Sequence, residues 1–245
     1  MKDKLTVLVT THVLPTAPSI EVIKECTDSI FNNFKGIKDC EFLVYCDSRD
    51  SEISKKYVNN LSHLCDVKVF DRIDSGMIAN YIDVIEKCET DYLFFCEHDW
   101  LFLRPVKIQN LINCMDSNPN VNFVRFNKRN NWQTHEEAGA WETYIEEETE
   151  ITEFPLMRTN CIATHPHIVR KDKFVKEWLP TINRELSTTL KHHWSIELIL
   201  YLWYTQEIKN LGFEKAQKKW GVFNYGPKSE PNIITHLDGS NSGRT

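Results

Sequence analysis

The sequence predicts an α/β fold in which a mostly parallel sheet is flanked by helices. Short apolar runs alternate along the first half of the chain with segments whose apolar residues recur at helical spacing. The apolar runs are continuous, which is typical of strands buried on both faces of a parallel sheet. Polar or acidic residues directly follow several of these runs, at the position where open α/β sheets bind ligands.

Four strands and three helices are predicted to alternate in the first half. The strands are expected at residues 5–10, 41–46, 67–70 and 92–96, and the helices at 19–34, 51–63 and 75–88. In the first helix, Ile23, Ile30 and Phe34 fall at helical spacing, and Gly36 can end the helix. The βαβαβαβ order implies parallel strands joined by right-handed crossovers.

The second half of the chain is less regular. Helices are expected at residues 106–115 and 194–209, and strands at 121–126, 160–164 and 232–235. Between them, residues 127–139 are polar and rich in Asn, and residues 141–153 are strongly acidic. Because no repeat, low-complexity tract or linker interrupts the sequence, we expect the 245 residues to form a single domain.

Composition excludes several classes of protein. The chain is 41% hydrophobic and 26% charged, as in ordinary globular proteins, and its net charge of −6 argues against a nucleic-acid-binding surface. No apolar run has membrane-spanning length, and the short run that ends at Val9 has no cleavage site after it. The eight cysteines form no CxxC pair. They are typical of reduced thiols, so we expect a cytoplasmic location.

The acidic pair Glu97 and Asp99 directly follows the most apolar predicted strand. Two carboxylates one residue apart can share a hard divalent cation, and such a cation usually holds phosphate oxygens as well. The alternative is a solvated acidic turn. The buried strand that precedes the pair favours a metal and phosphate site.

An ordered set of polar residues around the predicted strand ends carries a family resemblance. The set consists of Thr10, Thr11 and His12 after the first strand, Asp47 after the second, Gly76 and Asn80 in the third helix, and Glu97-His98-Asp99 after the fourth strand. It resembles the nucleotide-sugar-binding half of GT-A glycosyltransferases, most closely the family-2 type. The resemblance covers about residues 5–100, and Glu97-His98-Asp99 is similar to the family's Asp-x-Asp motif with Glu in first place.

The resemblance implies a GT-A-like, Rossmann-like fold and a role for every residue of the set except His98. It implies one domain over residues 1–245, with a nucleotide-sugar-binding half, 1–104, and an acceptor-binding half, 105–245. Asp99 is implied as a ligand of Mn²⁺ or Mg²⁺. Nucleotide-binding roles are implied for Thr10, Thr11, His12, Asp47, Gly76, Asn80 and Glu97.

Structural alternatives stand beside these roles. Residues 10–12 can form a capped turn, and Asp47 can cap the following helix. The segment around Gly76 can be an ordinary helix start. Ala79 stands where the family usually has Arg, so a diphosphate contact from that position is not expected.

Two features lie beyond the nucleotide-binding half. Glu197 opens a predicted apolar helix, where inverting members of the family place the catalytic base, and Glu142 is the rival candidate. Glu197 can instead be a first-turn acid that stabilises the helix. His236 is placed where several GT-A enzymes have a metal-binding His, although a surface His after a last strand is equally compatible.

The predicted reaction is the metal-dependent transfer of a sugar from a nucleoside-diphosphate donor, with a UDP-sugar as the default, to a glycan or other hydroxyl acceptor. An inverting displacement fits Glu197 best. One alternative is a sugar-phosphate nucleotidyltransferase, which would need a Gly-rich, basic loop after the first strand. The other is a non-catalytic carbohydrate-binding module, which would have little use for a carboxylate pair at a parallel strand end. Trp132 and Trp141, in the polar segment, can stack on a sugar face.

Overall fold

A computed structural model describes residues 1–13, 19–64, 66–73, 76–131, 145–151, 154–163, 165–188 and 196–237, with the backbone alone at 145–151 and 187–188. The chain divides into two compact units. The first unit comprises Met1–Lys107 together with Ile234–Thr245, and the second comprises Ile108–Ile233. The assignment of a nucleotide half and an acceptor half to the sequence stays a prediction.

The strands and helices of the first unit follow the predicted alternation. They are β1 (Leu5–His12), α1 (Glu21–Asn33), β2 (Glu41–Ser48), α2 (Glu52–Leu61), β3 (Lys68–Ile73), α3 (Gly76–Lys87), β4 (Tyr92–Glu97) and β5 (Trp100–Phe102). The four longer strands pair in the order β3-β2-β1-β4, and every pairing among them is parallel. The predicted α/β fold is therefore confirmed.

Burial explains why these segments form strands at the centre of the unit. In β4, every residue from Tyr92 to Cys96 is almost fully buried, as a continuous apolar run predicts. Helix α3 contacts β1 and β2, and α2 contacts β2. Helix α2 begins after Ser51, whose hydroxyl accepts a hydrogen bond from the Ser54 amide at 3.1 Å. This is a standard side-chain cap, and it leaves Asp47 free of that task.

The second unit contains shorter elements. They are α4 (Ile108–Ser117), β6 (Phe123–Arg125), β7 (Ile145–Ile151), β8 (Phe154–Thr159), β9 (His167–Arg170), α5 (Lys171–Lys173), a π-helical turn (Phe174–Trp178), α6 (Leu179–Thr188), α7 (Ile196–Leu211), α8 (Phe213–Trp220) and β10 (Val222–Tyr225). Its strands follow the order β9-β6-β10-β8-β7. The β6–β10 pair is parallel, and the other pairs are antiparallel.

One predicted strand of the second unit is wrong. Residues 161–163 belong to no strand, and β8 and β9 lie on either side of them. Cys161, Ile162 and Ala163 are nevertheless almost fully buried. The apolar character of this segment reflects burial in a loop, which the periodicity of a short apolar run cannot distinguish from a strand.

The last described strand, β11 (Ile234–His236), returns to the first unit. It pairs antiparallel with β5, and this register sets His236 opposite Trp100. The seven cysteines within the described residues are buried, and none of them is in a disulfide, in agreement with the expectation of reduced thiols. None of the described helices combines the length and the apolar character that a membrane crossing requires.

Candidate active site

A cleft of about 240 Å³ lies at the carboxyl ends of the parallel strands in the first unit. Strands β1, β2 and β4 end at this cleft, and helix α3 begins beside it. The lining residues are Thr10, Thr11, His12, Asp47, Met77, Asn80, Glu97, His98 and Asp99. Most of the residues proposed from the sequence for nucleotide and metal binding therefore meet at one place.

The last three residues of β1 differ in burial and in their contacts. Thr10 is buried, and its carbonyl oxygen accepts the amide of His98 at 2.9 Å. The Thr11 hydroxyl is also buried, and it is hydrogen-bonded to the Tyr57 hydroxyl at 2.7 Å. His12 is exposed, and its ring stands edge-on to the His98 ring with 5.1 Å between the centroids. Thr11 is thus tied to α2, and His12 is the side chain of β1 most accessible to a ligand.

Asp47 stands next to His12 across the sheet. The parallel register of β1 and β2 pairs these two residues, and Asp47 is partly exposed in the cleft. Its proposed alternative role as a helix cap does not apply, because Ser51 caps α2. A half-exposed carboxylate at a strand end can accept hydrogen bonds from ribose hydroxyls or from a ring N–H.

Helix α3 supplies Met77 and Asn80 to the cleft lining. Gly76 is the first residue of this helix and has a φ of 73°, which a glycine adopts without strain. A Cβ at Gly76 would meet no atom within 4 Å, so the glycine serves the backbone conformation and not a close contact. Asn80 is 1% exposed and reaches the cleft from the buried face of the helix.

The acidic pair lies at the end of β4. Glu97 is the last residue of the strand, and Asp99 stands two residues further on. One carboxylate oxygen of Asp99, Oδ2, lies 3.1 Å from Nε2 of His236. The other, Oδ1, is buried without a hydrogen-bond partner among the described residues. The Leu237 amide also donates to the Asp99 carbonyl at 2.6 Å, so β11 holds His236 beside this carboxylate.

His98 is a site residue to which the sequence alone assigns no role. It is 4% exposed, and its Nε2 has no hydrogen-bond partner among the described residues. Burial lowers the pKa of His98 to about 4 although the nearby Asp99 carboxylate acts in the opposite direction, so the imidazole is neutral near pH 7. A signal was present in the sequence, since Glu97, His98 and Asp99 together follow the apolar run at residues 92–96.

The pKa of His12 is also lowered. Desolvation is the main cause, and the carboxylates of Asp99 and Asp47 counteract part of it. Two imidazoles, those of His12 and His98, and three carboxylates, those of Asp47, Glu97 and Asp99, therefore line one cleft. Such a set offers hydrogen-bond acceptors to hydroxyls and electron pairs to a cation.

The side chains of Asp99 and His236 are chemically suited to bind a divalent metal ion. Carboxylate oxygen suits Mg²⁺ and Mn²⁺, and imidazole nitrogen suits transition metals. Among the described residues, no three side chains of His, Cys, Asp or Glu are already arranged as ligands of one ion. The buried Oδ1 of Asp99 is an oxygen that still needs a partner, and a cation or a hydrogen-bond donor would provide one.

The two candidate bases lie elsewhere. Glu197 belongs to the second unit, where it is partly exposed in the first turn of α7. Glu142, together with Trp132 and Trp141, lies outside the described residues. The structure thus brings together most of the residues that were predicted to bind the sugar donor and the metal ion. The identity of the base stays a prediction.

Comparison with known proteins decides the family. A profile described as Glycosyl transferase family 2 matches residues 11–177, which is more than half of the chain.

The chain belongs to glycosyl transferase family 2.

A comparison with curated protein sequences gives no significant match. The family match includes Asp47, Glu97 and Asp99, and it confirms the enzyme class expected from the sequence: this protein is a glycosyltransferase.

Solved structures share the fold at low sequence identity. Mouse xyloside xylosyltransferase 1, apo form, is 10% identical with a TM-score of 0.50, over 99% of this chain and 100% of that chain. The structure of S. aureus TarS 1-349 is 13% identical with a TM-score of 0.53, over 95% of this chain and 60% of that one. These neighbours confirm the GT-A-like fold of this glycosyltransferase.

A third structure comes from another enzyme class. It is a CMP-2-keto-3-deoxy-manno-octonic acid synthetase complexed with CTP, 12% identical with a TM-score of 0.51, over 91% of this chain and 89% of that chain. At such identity the likeness concerns the fold alone. The same α/β architecture serves both classes, so the function has to be argued from the residues of the cleft.

Proposed function

We propose that this glycosyltransferase transfers a sugar from a nucleoside-diphosphate donor, with a UDP-sugar as the first candidate, to a hydroxyl acceptor, and that it uses Mn²⁺ or Mg²⁺. The observation that carries the proposal is the meeting of Asp47, Glu97 and Asp99 in one cleft at the carboxyl end of parallel strands. Ligands of open α/β sheets bind at this end of the strands.

Each carboxylate has a distinct part in donor binding. Asp47, at the end of β2, is suited to the base or the ribose because it can accept their N–H and O–H hydrogen bonds. Glu97 stands at the end of β4, on the other side of β1, and acts at the ribose or through a water molecule. Thr10 and Thr11 form the floor of the cleft, and the Thr11 hydroxyl is held by Tyr57.

Asp99 and His236 would hold the divalent ion. Their side chains already lie 3.1 Å apart, and Oδ1 of Asp99 is the buried oxygen without a partner. A bound divalent ion stabilises the negative charge that a diphosphate leaving group develops. The chain lacks an Arg at the position of Ala79, which increases the need for another source of positive charge at the diphosphate.

The acceptor hydroxyl has to lose a proton as it attacks the anomeric carbon of the sugar. We assign this task to Glu197, with Glu142 as the alternative, and we propose an inverting single displacement. The Glu197 carboxylate stands in the first turn of α7, and it is the one acidic residue of that turn. A general base of this kind acts in the transition state and contributes about 10²–10⁴-fold to turnover.

The residues of β1 argue against a sugar-phosphate nucleotidyltransferase. Residues 10–15, Thr-Thr-His-Val-Leu-Pro, contain neither the Gly nor the Lys that such an enzyme would use to hold a triphosphate. A non-catalytic carbohydrate-binding module has little use for two carboxylates at parallel strand ends. The family assignment agrees with the transferase and not with either rival.

Calorimetric titration with UDP and with CTP, each with and without Mn²⁺, tests the proposal. We expect UDP to bind, and Mn²⁺ to strengthen this binding at least about tenfold, as a bridging ion would. Preference for CTP, with pyrophosphate released from CTP and a sugar phosphate, would identify a nucleotidyltransferase instead. Binding of neither nucleotide under any condition would favour the carbohydrate-binding module.

A further inference from the structure

A second cleft, of about 290 Å³, lies wholly within the second unit. Its walls are the π-helical turn and the helices α6, α7 and α8. Three tryptophans line it together with charged and amide side chains. Small-molecule sites typically measure about 300–1,000 Å³ and combine aromatic walls with a few polar groups, so the cleft has the size and the lining of a site for a small ligand.

The three tryptophans differ in what they offer to a ligand. Trp178 and Trp220 are 4% and 5% exposed, and their rings stack with 5.2 Å between the centroids. Trp203 is partly exposed, and within the described part of the chain it takes part in no ring contact. The ring of Trp203 is therefore the surface on which an apolar face of a ligand can pack.

Trp220 contributes a buried hydrogen-bond donor. Nε1 of its indole ring has no hydrogen-bond partner among the described residues. Tyr204 also packs on this ring, with 5.2 Å between the centroids, so the indole is held in place. A buried indole N–H normally donates to an acceptor, and a hydroxyl oxygen of a ligand in the cleft is suited to this task.

The charges around the cleft are balanced. Two lining carboxylates, those of Glu177 and Glu207, stand against two lining cations, Arg184 and Lys219. Glu207 forms an ion pair with Lys219 at 2.9 Å, and Glu177 forms one with Lys173 at 2.6 Å. A lining without net charge gives a phosphorylated ligand no advantage over a neutral one.

The helical walls argue against an extended peptide as the ligand. None of the described lining residues belongs to a strand, and the backbone groups of a helix bond within the helix. The cleft therefore has no strand edge to which a peptide can add, and recognition has to come from side chains. A saccharide matches an aromatic face with polar groups around it, because its ring has an apolar C–H face and carries hydroxyl groups at its edge.

We infer that this cleft is a second carbohydrate site, which binds a neutral saccharide unit of a glycan against Trp203. It is distinct from the place where Glu197 would act, since Trp203 and Gln206 lie about 120° and 180° around the α7 axis from Glu197. Neither the sugar nucleotide nor the metal ion is needed for this binding. A glycosyltransferase that holds a glycan at a second site keeps the chain close to its active site between transfers.

Calorimetric titration of the whole protein tests the site, with maltotetraose, cellotetraose, mannotetraose and N-acetylchitotetraose as probes and without nucleotide or metal. We expect at least one of these neutral tetrasaccharides to bind, and Trp203→Ala to weaken its binding at least about tenfold. Leu202→Ala is the matched control, because Leu202 is a 43% exposed apolar residue of the same helix outside the cleft, and it should leave the affinity unchanged. If none of the four binds, the inference is wrong.

Gln206→Ala is a second variant, which leaves the core intact because Gln206 is exposed. It should weaken tetrasaccharide binding by about three- to tenfold through the loss of a polar contact. Gln109→Ala is its matched control. Gln206 donates to Asn210 at 2.9 Å, and Gln109, exposed on α4, donates to Asn113 at the same distance and spacing. Native affinity in both Trp203→Ala and Gln206→Ala would overturn the assignment of the cleft.

Asp99→Ala and Glu197→Gln separate this site from the active site. Both variants should bind the tetrasaccharide as the native protein does. If either variant loses this binding while Trp203→Ala retains it, the saccharide is held in the active site and the second site does not exist. Failure of the native protein to bind UDP would refute the proposed function without affecting the saccharide titration, so the two failures are distinguishable.

Discussion

Asp47 and Ser51 stand four residues apart and carry different tasks. Ser51 caps α2 through its hydroxyl, whereas Asp47 lies in the cleft opposite His12. The sequence alone allowed Asp47 either role, because an acidic residue shortly before a helix is compatible with both. The structure removes the capping alternative, and nucleotide binding remains the proposed role of this carboxylate.

Asp47→Ala should weaken UDP binding even without metal, because hydrogen bonds to the base or ribose do not need the cation. The loss of one or two such bonds should cost on the order of 1–3 kcal/mol of binding free energy. Asp50→Ala is the matched control, since the Asp50 side chain, just after the end of β2, is 83% exposed. Equal calorimetric affinities of native protein and Asp47→Ala for UDP would refute the assignment.

Asp99→Ala should abolish the enhancement of UDP binding by Mn²⁺ while the protein stays folded. The physical reason is the loss of the carboxylate oxygen that would bind the ion. Asp91→Ala serves as the control. Asp91 precedes strand β4, which Asp99 follows, but it forms only an exposed ion pair with Lys4 at 3.0 Å. An unchanged dependence on Mn²⁺ in Asp99→Ala would show that the ion binds elsewhere.

At the scale of the element, strand β11 shows what sequence reasoning can and cannot supply. The sequence predicts a last strand near residues 232–235, and β11 is found at Ile234–His236. What the sequence cannot supply is its partner β5, a strand of three residues that places His236 opposite Trp100. The proximity of His236 to Asp99 is a product of this pairing, which joins residues more than a hundred positions apart.

The first unit is predictable for a physical reason that the second unit lacks. Strand β1 contains the mainly apolar run Leu5–Val9, and β4 contains the apolar run Tyr92–Cys96. Burial of these runs on both faces makes the two strands visible in the sequence. Strand β6 has three residues, and one of them is Arg125, which is 1% exposed and donates to the Asn224 side chain. The sequence does predict a strand at residues 121–126, but it cannot supply the partner of Arg125, because Asn224 lies 99 positions further along the chain.

Helix α8 ends at a position where only glycine fits. Gly221 has a φ of 65°, and a Cβ there would overlap the Asn120 carbonyl oxygen and approach Nδ2 of Asn122 to 2.7 Å. Gly221→Ala should therefore lower the free energy of unfolding by about 3 kcal/mol or more, since the strain of the left-handed backbone adds to the clash.

Chemical denaturation measures this effect, and Gly36→Ala is the control. Gly36 also has a positive φ, of 82°, but its Cβ would meet only the flexible end of Met1 at 3.4 Å. That substitution should cost about 1–2 kcal/mol, the price of the backbone conformation alone. Equal losses in the two variants would show that the contact with Asn120 is not important for the stability of the helix end.

At the scale of the whole molecule, buried neutral histidines make stability depend on pH. His167 is 4% exposed, packs on Phe123 and has its pKa lowered to about 4 by burial. In the unfolded chain the same group has a pKa of about 6.5. The unfolded state therefore binds more protons between these values, and stability falls as the pH falls.

The contribution of the neutral His167 to the free energy of unfolding should be fully present above about pH 6.5. At pH 5 it should be lower by about 2 kcal/mol. The pKa of His98 is lowered in the same direction, so its effect adds. Urea denaturation at several pH values measures the slope, and His167→Gln should flatten it whereas His63→Gln should not. A slope that is the same in all three proteins would show that His167 is not kept neutral by the fold.

Transfer also requires that the acceptor lose its proton, and a substitution at the proposed base tests this part of the mechanism. Glu197→Gln keeps the shape of the side chain and cannot accept a proton. We expect turnover to fall by about 10²–10⁴-fold with donor affinity unchanged, because a general base acts in the transition state and not in the bound ground state.

The assay for Glu197→Gln needs a true acceptor, since hydrolysis of the donor by water need not use the same base. Glu207→Gln is the matched control on the same helix, where Glu207 forms an ion pair with Lys219 at 2.9 Å, and it should retain turnover. If Glu197→Gln transfers normally and Glu142→Gln does not, the base lies in the acidic segment that contains Glu142. If both variants transfer normally, a carboxylate base is not used from either position, and the single displacement has to give way to a retaining mechanism.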